Sequence, residues 1–369
     1  MKRMQRIAGV AGAVGIALGL AACGGSQAGG SGEGEGSQTA RLSSFLQENT
    51  SMGQAVNAWA DQTEECSDGQ LEFERFHGGS LFGATDTRDA VGNGRLEVGV
   101  FSPGYHTGEF PLTQGLFDIP FLSSNVPAVM DALGTMYGET PEAQTEWTDQ
   151  GMYMLSMIPV APVPMATNVP FDSLDDLQGL NLRGYPAGGL NAAITAAGAN
   201  PLDMELSEVP EGMQRGVIDG FTGIAVDIAA SLSLQESTKY FTEPGFGSTS
   251  AISLAVNQQW WDGLPEQVQA CGEEAAANLG EPYVEAIAEV EGEACAALEE
   301  YDAELSILPE AETEKWSGMI QQDQRDLWAE SSAGAIDDPQ AYLADYESVL
   351  EAAEQEHSGQ VFGIEGCLQ

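Results

Sequence analysis

Between Arg95 and Arg215 the chain carries a single lysine or arginine, Arg183, in a sequence whose charge is otherwise overwhelmingly negative. Once Lys2, Arg3 and Arg6 of the leading segment are set aside, nine Lys and Arg stand against 57 Asp and Glu. Such an excess opposes compaction through self-repulsion. A lone guanidinium in the run Asp175-Asp176-Leu177-Gln178-Gly179-Leu180-Asn181-Leu182-Arg183-Gly184-Tyr185 is therefore expected to have an assigned partner. That partner is either a neighbouring carboxylate, as in surface pairs worth about 0–1 kcal/mol, or an anion from outside the chain. The same imbalance argues against nucleic acid, whose phosphates need a basic surface, and against electrostatic attachment to anionic lipid. Molar salt relieves the repulsion by shortening the Debye length from about 10 Å to about 3 Å, so the chain is either a salt-adapted extracellular protein or a secreted one that merely tolerates its charge.

The first residues read as an export signal. Lys2, Arg3 and Arg6 form a positive head, an apolar stretch follows over 7–20, and Leu20-Ala21-Ala22-Cys23 ends it in the manner of a bacterial lipobox. Residues 1–22 are the expected lipoprotein signal peptide, with Cys23 the lipidation site. Residues 23–40, rich in Gly and Ser, are the expected flexible tether. Four further cysteines, Cys66, Cys271, Cys295 and Cys367, fit an oxidising compartment. A helix expected from Pro265 to Tyr301 would hold Cys271 and Cys295 roughly 36 Å apart, too far to bond. Two connectivities remain open, and Cys66–Cys271 with Cys295–Cys367 is the preferred one.

A chain of 369 residues exceeds what one core usually serves, and the pattern suggests two α/β lobes. Helices are expected over 51–65, 86–93, 126–137, 188–197, 209–214, 265–301, 310–331 and 339–355. Short strands are expected over 71–76, 96–101, 181–183, 199–202, 220–223 and 251–256. The proline-rich run at Pro159, Pro162 and Pro164 marks the first crossing between lobes. The expected division is 41–160 with 249–287 for lobe I, 161–248 with 288–350 for lobe II, and 351–369 for a C-terminal tail. At about 1.5 Å per residue the 265–301 helix would reach ~55 Å, enough to lie across both lobes.

Catalysis finds little anchor. His77, His106 and His357 are few and scattered, and neither a Gly-x-Ser-x-Gly elbow nor a phosphate-binding Gly-x-x-x-x-Gly-Lys occurs. No Cys-x-x-Cys suggests zinc, and no cofactor is implied.

Asp176-Leu177-x-Gly179-Leu180-x-Leu182-Arg183, followed by Ser207-Glu208-Val209, Met213-Gln214-Arg215-Gly216 and Val217-Ile218-Asp219-Gly220, resembles the signature of substrate-binding proteins of tripartite ATP-independent periplasmic (TRAP) transporters, the DctP family. Gly78-Gly79-Ser80-Leu81, Ser102-Pro103-Gly104-Tyr105, Phe117-Asp118-Ile119-Pro120-Phe121-Leu122 and Trp260-Trp261-Asp262-Gly263-Leu264-Pro265 stand in the family's order, so the resemblance covers about residues 41 to 330. It implies an α/β, two-lobed periplasmic-binding-protein-like fold with a hinge and a long helix spanning both lobes. It also implies a lipid-anchored receptor outside the cytoplasm that delivers a small organic acid to TRAP membrane subunits, with Arg183 as the carboxylate clamp. The alternatives are a receptor for an ATP-driven importer and a sensory lipoprotein. Many relatives carry a second arginine where this chain has Val163, near Met165, and Asn where it has Gly223. The expected site is one arginine in an apolar wall of Phe101, Tyr105, Tyr185, Leu206 and Phe221, with Ser102, Asn168 and Thr222 as hydrogen-bond partners. A monocarboxylate with an apolar or aromatic body fits it better than a dicarboxylate.

Overall fold

The computed structural model describes residues 37–369 apart from Thr107, Asp118, Pro186 and Ala187. Cys23, the signal segment and most of the stretch read as a tether lie outside the described residues. In chain order the strands are β1 (Gln38–Ser44), β2 (Leu71–Phe76), β3 (Val98–Phe101), β4 (Met152–Pro159), β5 (Met165–Thr167), β6 (Asn181–Gly184), β7 (Asn200–Asp203), β8 (Gly220–Phe221), β9 (Tyr240–Glu243), β10 (Ala251–Asn257) and β11 (Glu304–Ile307). The first helices are α1 (Ser51–Cys66), α2 (Thr87–Gly92), α3 (Pro111–Phe117), α4 (Val126–Glu139), α5 (Pro141–Thr148), α6 (Gly188–Ala196) and α7 (Val209–Gln214). The remainder are α8 (Val226–Ser231), α9 (Gln258–Trp261), α10 (Glu266–Ala277), α11 (Gly280–Glu300), α12 (Glu310–Ser332), α13 (Pro339–Glu356) and α14 (Ile364–Cys367).

Two sheets make the expected two lobes. The first runs β2-β1-β3-β10-β4, with β1 parallel to β2 and β3, and β10 antiparallel to β3 and β4. The second runs β11-β9-β5-β8-β6-β7, with β5 antiparallel to both neighbours and β6 parallel to β7 and β8. Residues 160–164 and 244–250 cross between the sheets, and the Val160 N–H donates to the Ser250 carbonyl at 2.8 Å. Prolines at 159, 162 and 164 keep the first crossing extended, because each fixes φ and biases its predecessor away from the helical region.

Local rules place the scaffold under the first sheet. The Thr50 Oγ1 accepts the Gly53 N–H at 3.1 Å and caps α1. Met52, Ala55, Val56 and Trp59 then form its buried face. Trp59 Nε1 donates to the Gly272 carbonyl at 3.0 Å, seating α1 on α10. Disulfides Cys66–Cys271 and Cys295–Cys367, with Cα–Cα separations of 5.6 and 5.4 Å, reinforce this contact and tie α11 to α14. This is the preferred pairing.

Four expectations need correction. The single helix over 265–301 is two, α10 and α11, because Pro282 has no N–H to give the Asn278 carbonyl and its ring crowds that group. The spanning element survives in α11, which packs on α1 and α4 of the first lobe and on α8 and α14 of the second. α12 spans as well: Trp316 Nε1 donates to the Ala193 carbonyl in the second lobe, and Trp328 Nε1 to the Pro111 carbonyl in the first. α13, read as part of lobe II, docks instead on α4 through Tyr342, Leu343, Tyr346 and Leu350. The tether ends earlier than residue 40, since Gln38 to Ala40 already pair with Leu71 to Phe73. The tail is partly core, with α13 running on to Glu356 and Phe362 and Ile364 buried.

Candidate binding site

Parallel strands deliver their ligand-facing residues at their carboxyl ends, and the cleft between these sheets follows that rule. β1 leads to Phe45, β3 to Ser102 and Tyr105, β6 ends in Arg183 with Tyr185 beyond, and β8 leads to Gly223. All six line one cavity of about 30 Å³ between the lobes.

Arg183 is 1% exposed. Its Nε donates to the Met204 carbonyl at 3.1 Å, Nη1 to the Thr222 carbonyl at 2.9 Å, and Nη2 to the Tyr105 hydroxyl at 3.3 Å. No carboxylate lies within ion-pairing distance among the described residues. The eight other cations outside the leader behave differently. Arg41, Arg75, Arg88, Arg215, Lys239, Lys315 and Arg325 each hold an Asp or Glu, and Arg95 is exposed. Arg183 alone is both buried and without an acid. Leaving a buried charge uncompensated is costly, and each terminal nitrogen keeps a second N–H beyond the one it uses.

The opposite lobe closes over this group. Ser102 Oγ donates to the Ala251 carbonyl at 2.6 Å, so the Tyr185 hydroxyl donates to Ser102 across the cleft. The Tyr105 and Tyr185 rings stand edge to face at 5.4 Å. Gly104 permits this approach, because a Cβ there would overlap the Tyr185 ring. Gly223 has φ +74°, and a Cβ on it would lie 3.2 Å from Arg183 Nη1.

Of the expected site residues, Arg183, Ser102, Tyr105, Tyr185, Leu206 and Gly223 come together in the cavity. Thr222 contributes its carbonyl, not its hydroxyl. Three expectations are corrected. Phe101 points away from the cleft, as strand alternation from Ser102 requires, and packs with Phe110 and Trp147. Phe221 is covered within the second sheet by Phe241. Asn168 is exposed and does not line the cavity. Sequence reasoning missed Phe45, Leu46, Met52, Ile224, Ile228 and Ile252. β1 was the available signal for the first two: recognising that strand would have put them at its carboxyl end.

The histidines stay apart, His77 beside Asn57, His357 beside Asp131, and His106 within weak reach of Glu109. Burial lowers the pKa of both His77 and His106. Near the hinge, burial pushes Glu243 up to about 7 and Glu291 up to about 8. Each has one oxygen with a backbone donor, Gly245 N–H and Gly363 N–H respectively, and one oxygen with none. Among the described residues no cluster of His, Cys, Asp and Glu is arranged to hold a metal ion, and no helix is long and apolar enough to cross a membrane.

Two lobes joined by paired crossing segments and closed over a cationic anchor define a solute-binding protein of the periplasmic type. Over residues 42–331 the sequence matches the bacterial extracellular solute-binding proteins of family 7, and the chain belongs to that family as a TRAP-type substrate-binding protein. The ectoine/5-hydroxyectoine-binding periplasmic protein UehA of Ruegeria pomeroyi is 26% identical over 286 residues, 76% of this chain and 79% of its own. The C4-dicarboxylate-binding periplasmic protein DctP of Rhodobacter capsulatus is 25% identical over 259 residues, 69% of this chain and 74% of its own. A TRAP solute-binding protein from Rhodoferax ferrireducens, solved with copurified benzoate, superposes with a TM-score of 0.77 at 21% identity, covering 87% of this chain and 100% of that one.

Proposed function

We propose that this extracytoplasmic receptor captures a small monocarboxylate between its lobes, gripping the carboxylate with Arg183, and releases it unaltered to TRAP membrane subunits. The observation that carries the reading is the burial of Arg183 without an acid partner. A guanidinium fork matches a carboxylate bidentately and gains strength where water is excluded. Relatives named for ectoine and C4-dicarboxylates, and a neighbour holding benzoate, support an acidic or zwitterionic solute. The walls favour an apolar or aromatic body, since Phe45, Leu206, Ile224 and Ile228 line the cavity with the cation and Val163, where a second arginine would stand, is buried. Arg183→Ala is expected to weaken binding at least ~100-fold, because truncating one partner of a buried charge pair costs about 3–5 kcal/mol. Arg183→Lys should lose most of the same affinity. Calorimetry with a ligand found by a thermal-shift screen of organic acids checks this, and an alanine variant binding within a few-fold of the parent refutes it.

The same proposal anchors the receptor to the membrane through lipid on Cys23. Cys23→Ala should move the protein from the membrane fraction to the soluble one and abolish metabolic labelling with palmitate. Undiminished membrane association of the variant would rule the anchor out.

A further inference from the structure

The two segments that cross between the lobes share a further cavity, of about 290 Å³, separate from the one at Arg183. Pro162 of the first crossing and Gly245 of the second line it, with Glu243 at the end of β9, Glu310 and Thr313 at the start of α12, and Glu365 of α14. No lysine, arginine or histidine is among its lining residues. Carboxylates gathered at a surface are common in so acidic a chain, but Glu243 is 6% exposed. Its Oε1 accepts the Gly245 N–H at 2.8 Å, and its Oε2 has no donor among the described residues. Nor does the Pro162 carbonyl receive one among them. Both oxygens face the bare backbone of Gly363, where a Cβ would lie 3.1 Å from the Pro162 oxygen and 3.7 Å from Glu243 Oε2. Gly363 holds φ +71° and ψ −150°, a combination essentially confined to glycine, so no side chain fills that gap.

A buried carboxylate oxygen and a carbonyl that share a cavity without an N–H or O–H to meet them call for a positive charge. A proton supplies it only in part. Burial, with Glu365 pushing the same way, raises Glu243 to about 7, so near neutral pH the group is about half ionised. The other titratable groups around it are Glu365 and Glu310, which share its cavity, and Glu291 of α11; none of them is basic. Carboxylate and carbonyl oxygens are the donors that hard cations take. The convergence of three or more acidic ligands that marks a divalent site is missing among the described residues. We propose that an alkali cation, Na⁺ or K⁺, binds in this cavity against Glu243 Oε2 and the Pro162 carbonyl and so clips the two crossing segments together. The site is independent of Arg183 and of the solute. It makes the hinge answer to salt by occupancy, in addition to the screening that salt provides everywhere on the surface.

The test holds ionic strength fixed so that screening stays constant. Calorimetric melting of the full mature chain at pH 8 compares molar tetramethylammonium chloride, whose methyl groups keep its charge off an oxygen, with molar NaCl and KCl. One or both alkali salts should raise the parent's melting temperature by about 2–5 °C over tetramethylammonium. The gain should shrink near pH 5, where the proton competes for Glu243. Glu243→Gln keeps the shape and the bond from Gly245 and should lose the difference between salts. Glu291→Gln, at a position that does not line the cavity, should keep it. Should the first variant fail to fold, the parent alone decides. In weak buffer at pH 7, exchanging tetramethylammonium chloride for NaCl or KCl should release up to about half a proton per chain as the ion displaces it from Glu243. Equal melting in all three salts, a difference that Glu243→Gln retains, or no proton release overturns the proposal. Stabilisation by millimolar CaCl₂ and by neither alkali salt overturns it in favour of a divalent ion.

Discussion

Replacing Glu291 by Gln should make stability depend less steeply on pH. Glu291 lies on α11, 6% exposed, with one oxygen accepting the Gly363 N–H and the other lacking a partner. Burial is the main cause of its raised pKa, about 8 against 4.5, with the nearby Asp227 and Glu243 pushing the same way. A folded-state pKa above the unfolded one means that the folded chain holds the proton more tightly. The associated stability is complete below about pH 4.5 and is lost as pH rises through about 8. At about 1.4 kcal/mol per pH unit, the loss reaches at most about 4–5 kcal/mol. Glutamine keeps the shape, accepts from Gly363 and titrates nowhere. The variant should match the parent near pH 5 and exceed it near pH 9 by a few kcal/mol, on the order of 5–10 °C in melting temperature. Surface carboxylates are fully ionised above about pH 6 and are screened in molar salt, and Glu243, at about 7, contributes to parent and variant alike, so the difference between their melting curves from pH 6 to 9 in molar NaCl isolates Glu291. Identical slopes for parent and variant in that window would refute the reasoning.

Gly223→Asn should fold, since Asn tolerates the left-handed backbone that φ +74° demands. Its side chain would crowd Arg183 Nη1, Leu190 and Tyr185, so calorimetry should show affinity for an apolar monocarboxylate falling by about tenfold; unchanged affinity would mean that this position does not border the ligand. Raising NaCl from about 0.1 M to molar concentrations should raise the melting temperature, because exposed carboxylates outnumber cations throughout the surface. A flat or falling series in differential scanning calorimetry would contradict salt adaptation.

Arg183 was legible because a cation is rare in this chain and lies in a motif of fixed spacing. The apolar wall was not, because a cavity side chain and a core side chain carry the same hydrophobic signal. Ile224 and Ile228 follow β8 into α8 with nothing in their pattern to separate them from Ile218 or Ile194, which are core. Phe101 and Ser102 show how one residue of register decides the matter, since consecutive side chains on a strand face opposite sides. α13 displays its apolar stripe plainly, yet the stripe says only that it packs, and Trp328 with α4 settles against which lobe. The break at Asn278 was readable from Pro282 alone, and was overridden by the alanine-rich composition around it.

The acidic surface and the anion site are compatible because they act over different distances and in different media. A carboxylate about 3 Å from Arg183 gains about 5 kcal/mol at an effective dielectric of about 20, in a cleft from which closure excludes water. A surface carboxylate about 20 Å away opposes it by only about 0.2 kcal/mol in water. Many such terms add up at low ionic strength, and nearly all vanish when the Debye length falls to about 3 Å. Salt thus removes the repulsion that slows an anion's approach and leaves the buried contact that slows its departure.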